Sequence, residues 1–169
     1  MRLRDSLLAM LCTLALASTA VAQTTYIGVL TGATEVPPVA TAATGNATVV
    51  LNAAQTQLSI SVQFQNLVGV YSASHIHGPA PAGSNAAVKW GFSGLPAGWV
   101  FGAGNQSGTL TNFIVTGITA TDVTNLNAGN FYVNIHSTLF PGGELRAQLG
   151  SAPVPTGKST WSRVKSLYR

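Results

Sequence analysis

Residues 57–66 read "QLSISVQFQN", in which Leu58, Ile60, Val62 and Phe64 alternate without a break with Ser59, Ser61, Gln63 and Gln65. Successive side chains on an extended chain leave opposite faces, so this alternation predicts a strand with one apolar and one wetted face. The segment before it, "NATVVLNA" (46–53), places Ala47, Val49 and Leu51 on one side, and 52–56 supplies a turn, so the two form a predicted hairpin. Further strand candidates are 24–32, 74–78, 86–92, 107–117, 130–137 and 143–150, with Gly or Pro in every gap. One segment departs from period two: "TATDVTNLNAG" predicts a short helix near 120–128, capped by Thr119 or Thr121 and ended by Gly129. The sum is an all-β chain of about eight antiparallel strands, folded as a sandwich or a flattened barrel.

The length of 169 residues suits one domain with a core of its own. The first residues read as a secretory signal: Arg2 and Arg4, an apolar run from Leu7 to Ala17, then Ala20-Val21-Ala22 before Gln23. That run is shorter than the ~20 residues a membrane span needs. We therefore expect cleavage near Ala22, a domain over 23–150, and a secreted, periplasmic or envelope location. The only cysteine, Cys12, lies in the signal, so disulfides, thiolate catalysis and cysteine metal ligands are not expected of the mature domain.

Charged residues are 7% of the chain, and between Thr24 and Gly150 they are Glu35, Lys89, Asp122, Glu144 and Arg146 alone, which argues against nucleic acid as a partner. The segment 151–169 contains Pro153 and Pro155 and then Lys158, Arg163, Lys165 and Arg169 with no acid. Trp161, Val164, Leu167 and Tyr168 recur there at helical spacing, which fits either a frayed terminus or a short turn touching an anionic membrane surface.

The three histidines fall in two places, "SHIHG" and "YVNIHS". On a strand, His75 and His77 share a face and Ile76 takes the other. In 131–136, Phe131, Val133 and Ile135 alternate with Tyr132, Asn134 and His136. With the apolar sets facing the core, all three imidazoles leave on the wetted side, as do Glu144, Arg146 and Gln148. A His-x-His pair with a third histidine from an adjacent strand suits one copper or zinc ion. Asn134, Glu144, Glu35 and backbone carbonyls are the candidates for fixing the tautomers around such an ion. The competing expectations are hydrated histidines and a Glu144–Arg146 contact along one strand face.

The blocks "LTGATEVPPVATAATGNATVVL", "SHIHGPAPAGSNAAV", "GTLT" and "GNFYVNIHSTLFPGGELRAQL" occur in that order between Leu30 and Leu149. Together they resemble the CHRD domain, named from chordin and found in many bacterial secreted proteins. The matching positions are Glu35, Pro37 and Pro38, then His75, His77, Gly78 and Pro79, and finally His136, Gly142, Gly143 and Glu144. The resemblance implies an immunoglobulin-like sandwich or barrel, loosely similar to copper/zinc superoxide dismutases, whose His-x-His strand and later histidine hold metal outside the barrel. Three histidines and no mature cysteine are too few for that family's two-metal site, and a single-metal site remains open.

No Ser/His/Asp or Cys/His triad is legible, and "GAGNQSG" (102–108) has neither the lysine nor the strand–loop–helix setting of a phosphate loop. Trp90, Phe92, Trp99 and Phe101 suit core or lid packing, with a sugar- or protein-binding surface as the alternative. The functional expectation is a non-catalytic module that binds an extracellular or envelope protein or a matrix component. The alternatives are a single-metal protein using His75, His77 and His136, and a copper redox enzyme on those ligands.

Overall fold

The computed structural model describes residues 22–93 and 98–153. It contains β1 (Thr24–Thr31), β2 (Thr44–Leu51), β3 (Gln57–Gln65), β4 (Tyr71–His77), β5 (Val88–Gly91), β6 (Val100–Phe101) and β7 (Gly108–Thr116). Then follow α1 (Ala120–Asn127), β8 (Tyr132–Ser137), β9 (Leu145–Gln148) and β10 (Gly150–Ser151). All pairings are antiparallel, in the order β5-β4-β8-β9-β1-β2-β3-β7-β6, and β10 adds to β1. The expected all-β architecture with one short helix is thus realised as a single sheet curled into a half-barrel. The expected signal and most of the basic tail lie outside the described residues. Among the described residues no helix is long and apolar enough to cross a membrane.

The hairpin β2–β3 follows from the alternation: Ala47 faces Val62, Val49 faces Ile60 and Leu51 faces Leu58 across the ladder, all buried. Its turn is closed by Asn52, whose side-chain oxygen accepts from the amides of Thr56 and Gln57. Ile76, Val133, Ile135 and Leu145 bring the same inner face to the other end of the sheet, each with no exposed surface. Fully burying a side chain of this kind stabilises the fold by about 1.5–3 kcal/mol. Phe64, Tyr71, Trp99 and Phe101 pack ring on ring, with centroids 4.8 to 5.6 Å apart, and Phe92 and Trp99 are buried, so the aromatic-rich segment serves packing.

Thr119 caps α1: its hydroxyl accepts from the Asp122 amide, and the Asp122 carboxylate accepts from the Thr119 amide. Gly129, at φ 71°, ends it. Val123 and Leu126 turn one face of the helix into the core. Asp122 also meets Lys89 of β5 at 2.6 Å.

The outer face at the β4–β8–β9 end positions everything that follows. Register places His77, Tyr132 and Gln148 in one row and His75, Asn134 and Arg146 in the next, while His136 stands opposite Ala73. This face is roofed. All six residues of β8 are buried, because chain from 32 to 43 and from 78 to 87 lies over it. The expectation that the histidine face is wetted is corrected here. The imidazoles do leave the apolar core, but they enter a second, polar layer in which His136 is 8% exposed.

Candidate metal centre

The pleat of β4 sends His75 and His77 to the outer face, and the adjacent β8 delivers His136 beside them. One ring nitrogen from each of the three lies within 4.8 Å of the others. Ligands ~2.0–2.1 Å from a tetrahedral ion stand about 3.4 Å apart, so the trio closes on an ion by shifts of about an ångström. Of the sequence candidates, the structure brings these three together.

Hydrogen bonds set the tautomers. His77 Nδ1 donates to the Ala86 carbonyl at 3.0 Å, which leaves its Nε2 as a lone pair. That Nε2 is buried and has no hydrogen-bond partner. His136 Nδ1 donates to the Pro141 carbonyl at 3.0 Å, so its Nε2 is also an acceptor. It accepts from His75 Nδ1 at 3.1 Å. An ion would replace that last proton, with His75 changing tautomer or turning its ring.

The environment keeps the rings neutral. Burial, opposed by the Pro141 carbonyl and reinforced by His75 and His77, holds His136 down at about 4. Burial and then the neighbouring His77 lower His75. His77 is lowered by burial, against the raising effect of the Ala86 carbonyl, with Arg146 adding to the depression. Neutral imidazole is the form that binds metal.

The outer partners divide. Asn134 lies in the same row as His75 and donates to the Glu35 carboxyl and the Leu145 carbonyl. Glu35 therefore reaches Asn134 and stops short of the imidazoles. Glu144 is elsewhere: fully buried, it accepts from the Thr41 and Ser137 hydroxyls and the amides of Val68 and Gly69. It ties three separated segments together and touches no histidine. The expected Glu144–Arg146 contact does not form, because Arg146 turns to Ser84, Asn85 and Gln148.

Backbone carbonyls are found in the expected tautomer-fixing role, as Ala86 and Pro141, while two side chains, Tyr132 and Arg146, join the site without having been singled out for it. Tyr132 stacks on His77, with planes 5° apart and centroids 5.0 Å apart, and Arg146 covers the other side of that phenol ring at 3.5 Å. The Tyr132 hydroxyl accepts from the Ala86 amide, which orients the carbonyl that fixes His77. Parity did place Tyr132 on the histidine face. The carbonyls of Ala86 and Pro141 carry no side-chain signal that a sequence could show.

Gly78 and Gly143 allow the roof to close. A Cβ on Gly78 (φ +146°) would sit 2.3 Å from the Phe131 ring, and one on Gly143 (φ +128°) would sit 2.6 Å from both Asn134 Nδ2 and Glu35 Oε1. The proline and glycine blocks around the histidines thus belong to the roof rather than to a flexible rim.

No curated protein and no solved structure matches the chain. The family model described as the CHRD domain matches residues 26–149, which takes in β2 to β9, all of β1 but its first two residues, and the three histidines. The chain belongs to the CHRD domain family.

Proposed function

We propose that this CHRD-domain protein is an exported, non-catalytic module that holds one copper or zinc ion through His75, His77 and His136. Family membership supports a non-catalytic module of extracellular type. The signal-like leader with its cleavage pattern before Gln23 supports export. The observation that carries the metal reading is His77 Nε2: a buried nitrogen without a partner, facing two further imidazoles. A buried polar atom left unsatisfied costs about 1–3 kcal/mol, and an ion supplies the missing interaction. Three neutral nitrogens would leave a further position on the ion for water or another ligand.

The test is calorimetric titration of the metal-stripped protein with zinc and with copper(II), checked by elemental analysis after desalting. One ion per chain is expected, and His77→Ala should abolish it while the far-UV circular dichroism is retained. A parent protein that takes up no stoichiometric ion overturns the reading. Superoxide consumption by the copper-loaded protein separates storage or sensing from redox catalysis; we expect none above free copper.

A further inference from the structure

We propose that the cleft between the Ala33–Pro38 segment and the Ala82–Gly83 turn binds the carboxylate of a small organic acid on Arg146. The cleft has a volume of about 390 Å³, with Arg146 and Gln148 at its floor, Glu35 at one side, and Val36, Pro38 and Ala82 in its walls. This is within the size range of small-molecule sites, ~300–1,000 Å³.

Among the described residues Arg146 has no carboxylate within ion-pair distance, and Glu35, the acid nearest to it along the cleft, is committed to Asn134. Arg146 is 1% exposed, and a guanidinium keeps its charge at any ordinary pH. Its partners are all neutral: the Asn85 side-chain oxygen at 3.1 Å, the Ser84 carbonyl at 2.9 Å, the Gln148 side-chain oxygen at 3.2 Å, and the Tyr132 ring. Among the described residues the one ion pair is Lys89–Asp122, and no carboxylate reaches the guanidinium. Buried charges are normally paired, because an unpaired one carries its whole desolvation cost. The fork has about five N–H groups, so these three bonds leave donors over.

The rest of the cleft selects among anions. Among the described residues Arg146 is the only cation lining it, which suits a single negative charge rather than a phosphate dianion. The walls from Val36, Pro38 and Ala82 suit an organic body. Glu35 sits beside the guanidinium yet is committed to Asn134. Burial, opposed by Asn134, Arg146 and the Val36 amide, pushes its carboxyl up to about 7. A protonated share is therefore present at neutral pH, able to donate to the second oxygen of a bound carboxylate.

This inference does not depend on the metal, so the test is run on the metal-stripped full chain in the presence of a chelator. Calorimetric titration with sodium butanoate should show one saturable site, and inorganic phosphate at equal ionic strength should show weaker binding or none. Ala82 is exposed and outside the Arg146 hydrogen-bond set, so Ala82→Trp blocks the cleft without touching the interior. It should weaken butanoate at least about tenfold with an unchanged unfolding midpoint. Arg146→Lys should weaken butanoate as well, with a lowered unfolding midpoint because the buried fork's bonds to Ser84, Asn85 and Gln148 are lost, and Glu35→Gln, which removes the competing negative charge, should tighten binding. Absence of saturable butanoate binding in the parent, equal affinity in Ala82→Trp, or a preference for phosphate each overturns the proposal.

Discussion

Replacing Glu144 by glutamine distinguishes a clamp of the fold from a partner of the histidines. The carboxylate accepts from Thr41 Oγ1 at 2.9 Å and the Val68 amide at 2.7 Å through one oxygen, and from Ser137 and the Gly69 amide through the other. Glutamine keeps an oxygen for the first pair and turns an NH2 toward the second. The Ser137 hydroxyl can rotate to accept, but the Gly69 N–H then faces another donor. Losing charge assistance on the short bonds costs about 1 kcal/mol each, so we expect about 2–3 kcal/mol in all. For a domain of this size, roughly 3–5 °C accompanies each kcal/mol, which predicts a fall of about 10 °C in the unfolding midpoint. The assay is thermal unfolding followed by circular dichroism, paired with metal titration of the folded variant at low temperature. Metal affinity should be unchanged. A midpoint within about 2 °C of the parent, or tenfold weaker metal binding in a variant of parental stability, would refute the clamp.

Two further predictions follow from the polar layer. In the metal-free protein, His136 is held at about 4 against 6.5 in the unfolded chain, so its contribution is present above pH 6.5 and is lost as pH falls toward 4. Glu35 runs the other way: held at about 7 against 4.5, it contributes below 4.5 and loses that contribution as pH rises through 7. The slopes oppose each other between these limits, so Glu35→Gln should make stability rise with pH more steeply than in the parent; parallel profiles from denaturant titrations would contradict this. Gly143→Ala should lower stability by about 1–3 kcal/mol through left-handed backbone strain, with added loss from displacing the Glu35–Asn134 contact. An unchanged denaturation midpoint would contradict that.

Period-two alternation located the strands well because each buries one face against a shared core, and the inward set Leu58, Ile60, Val62 and Phe64 survives intact. The same parity placed His75, His77 and His136 on one side together. Adjacency of β4 and β8 was not legible, since about sixty residues separate the two motifs and no local signal states which strands pair. Cover over the second face was equally hidden. The burial of Asn134, Arg146 and Glu144 comes from loops distant in sequence, and nothing in "YVNIHS" distinguishes a roofed polar face from an open one. Glu144 illustrates the consequence: its parity suggested Arg146 as a neighbour, whereas long-range contacts to Thr41 and Val68 claim it. β10 and the two-residue β6 carry too few residues to show a period.

β8 lies inside the sheet, laddered on both edges, with aliphatic packing beneath it and the polar loops above. A donor seated there inherits the stiffness of its scaffold. In the proposed metal site, His136 would thus be the fixed donor, and the chain above it would decide only what fills the remaining coordination position.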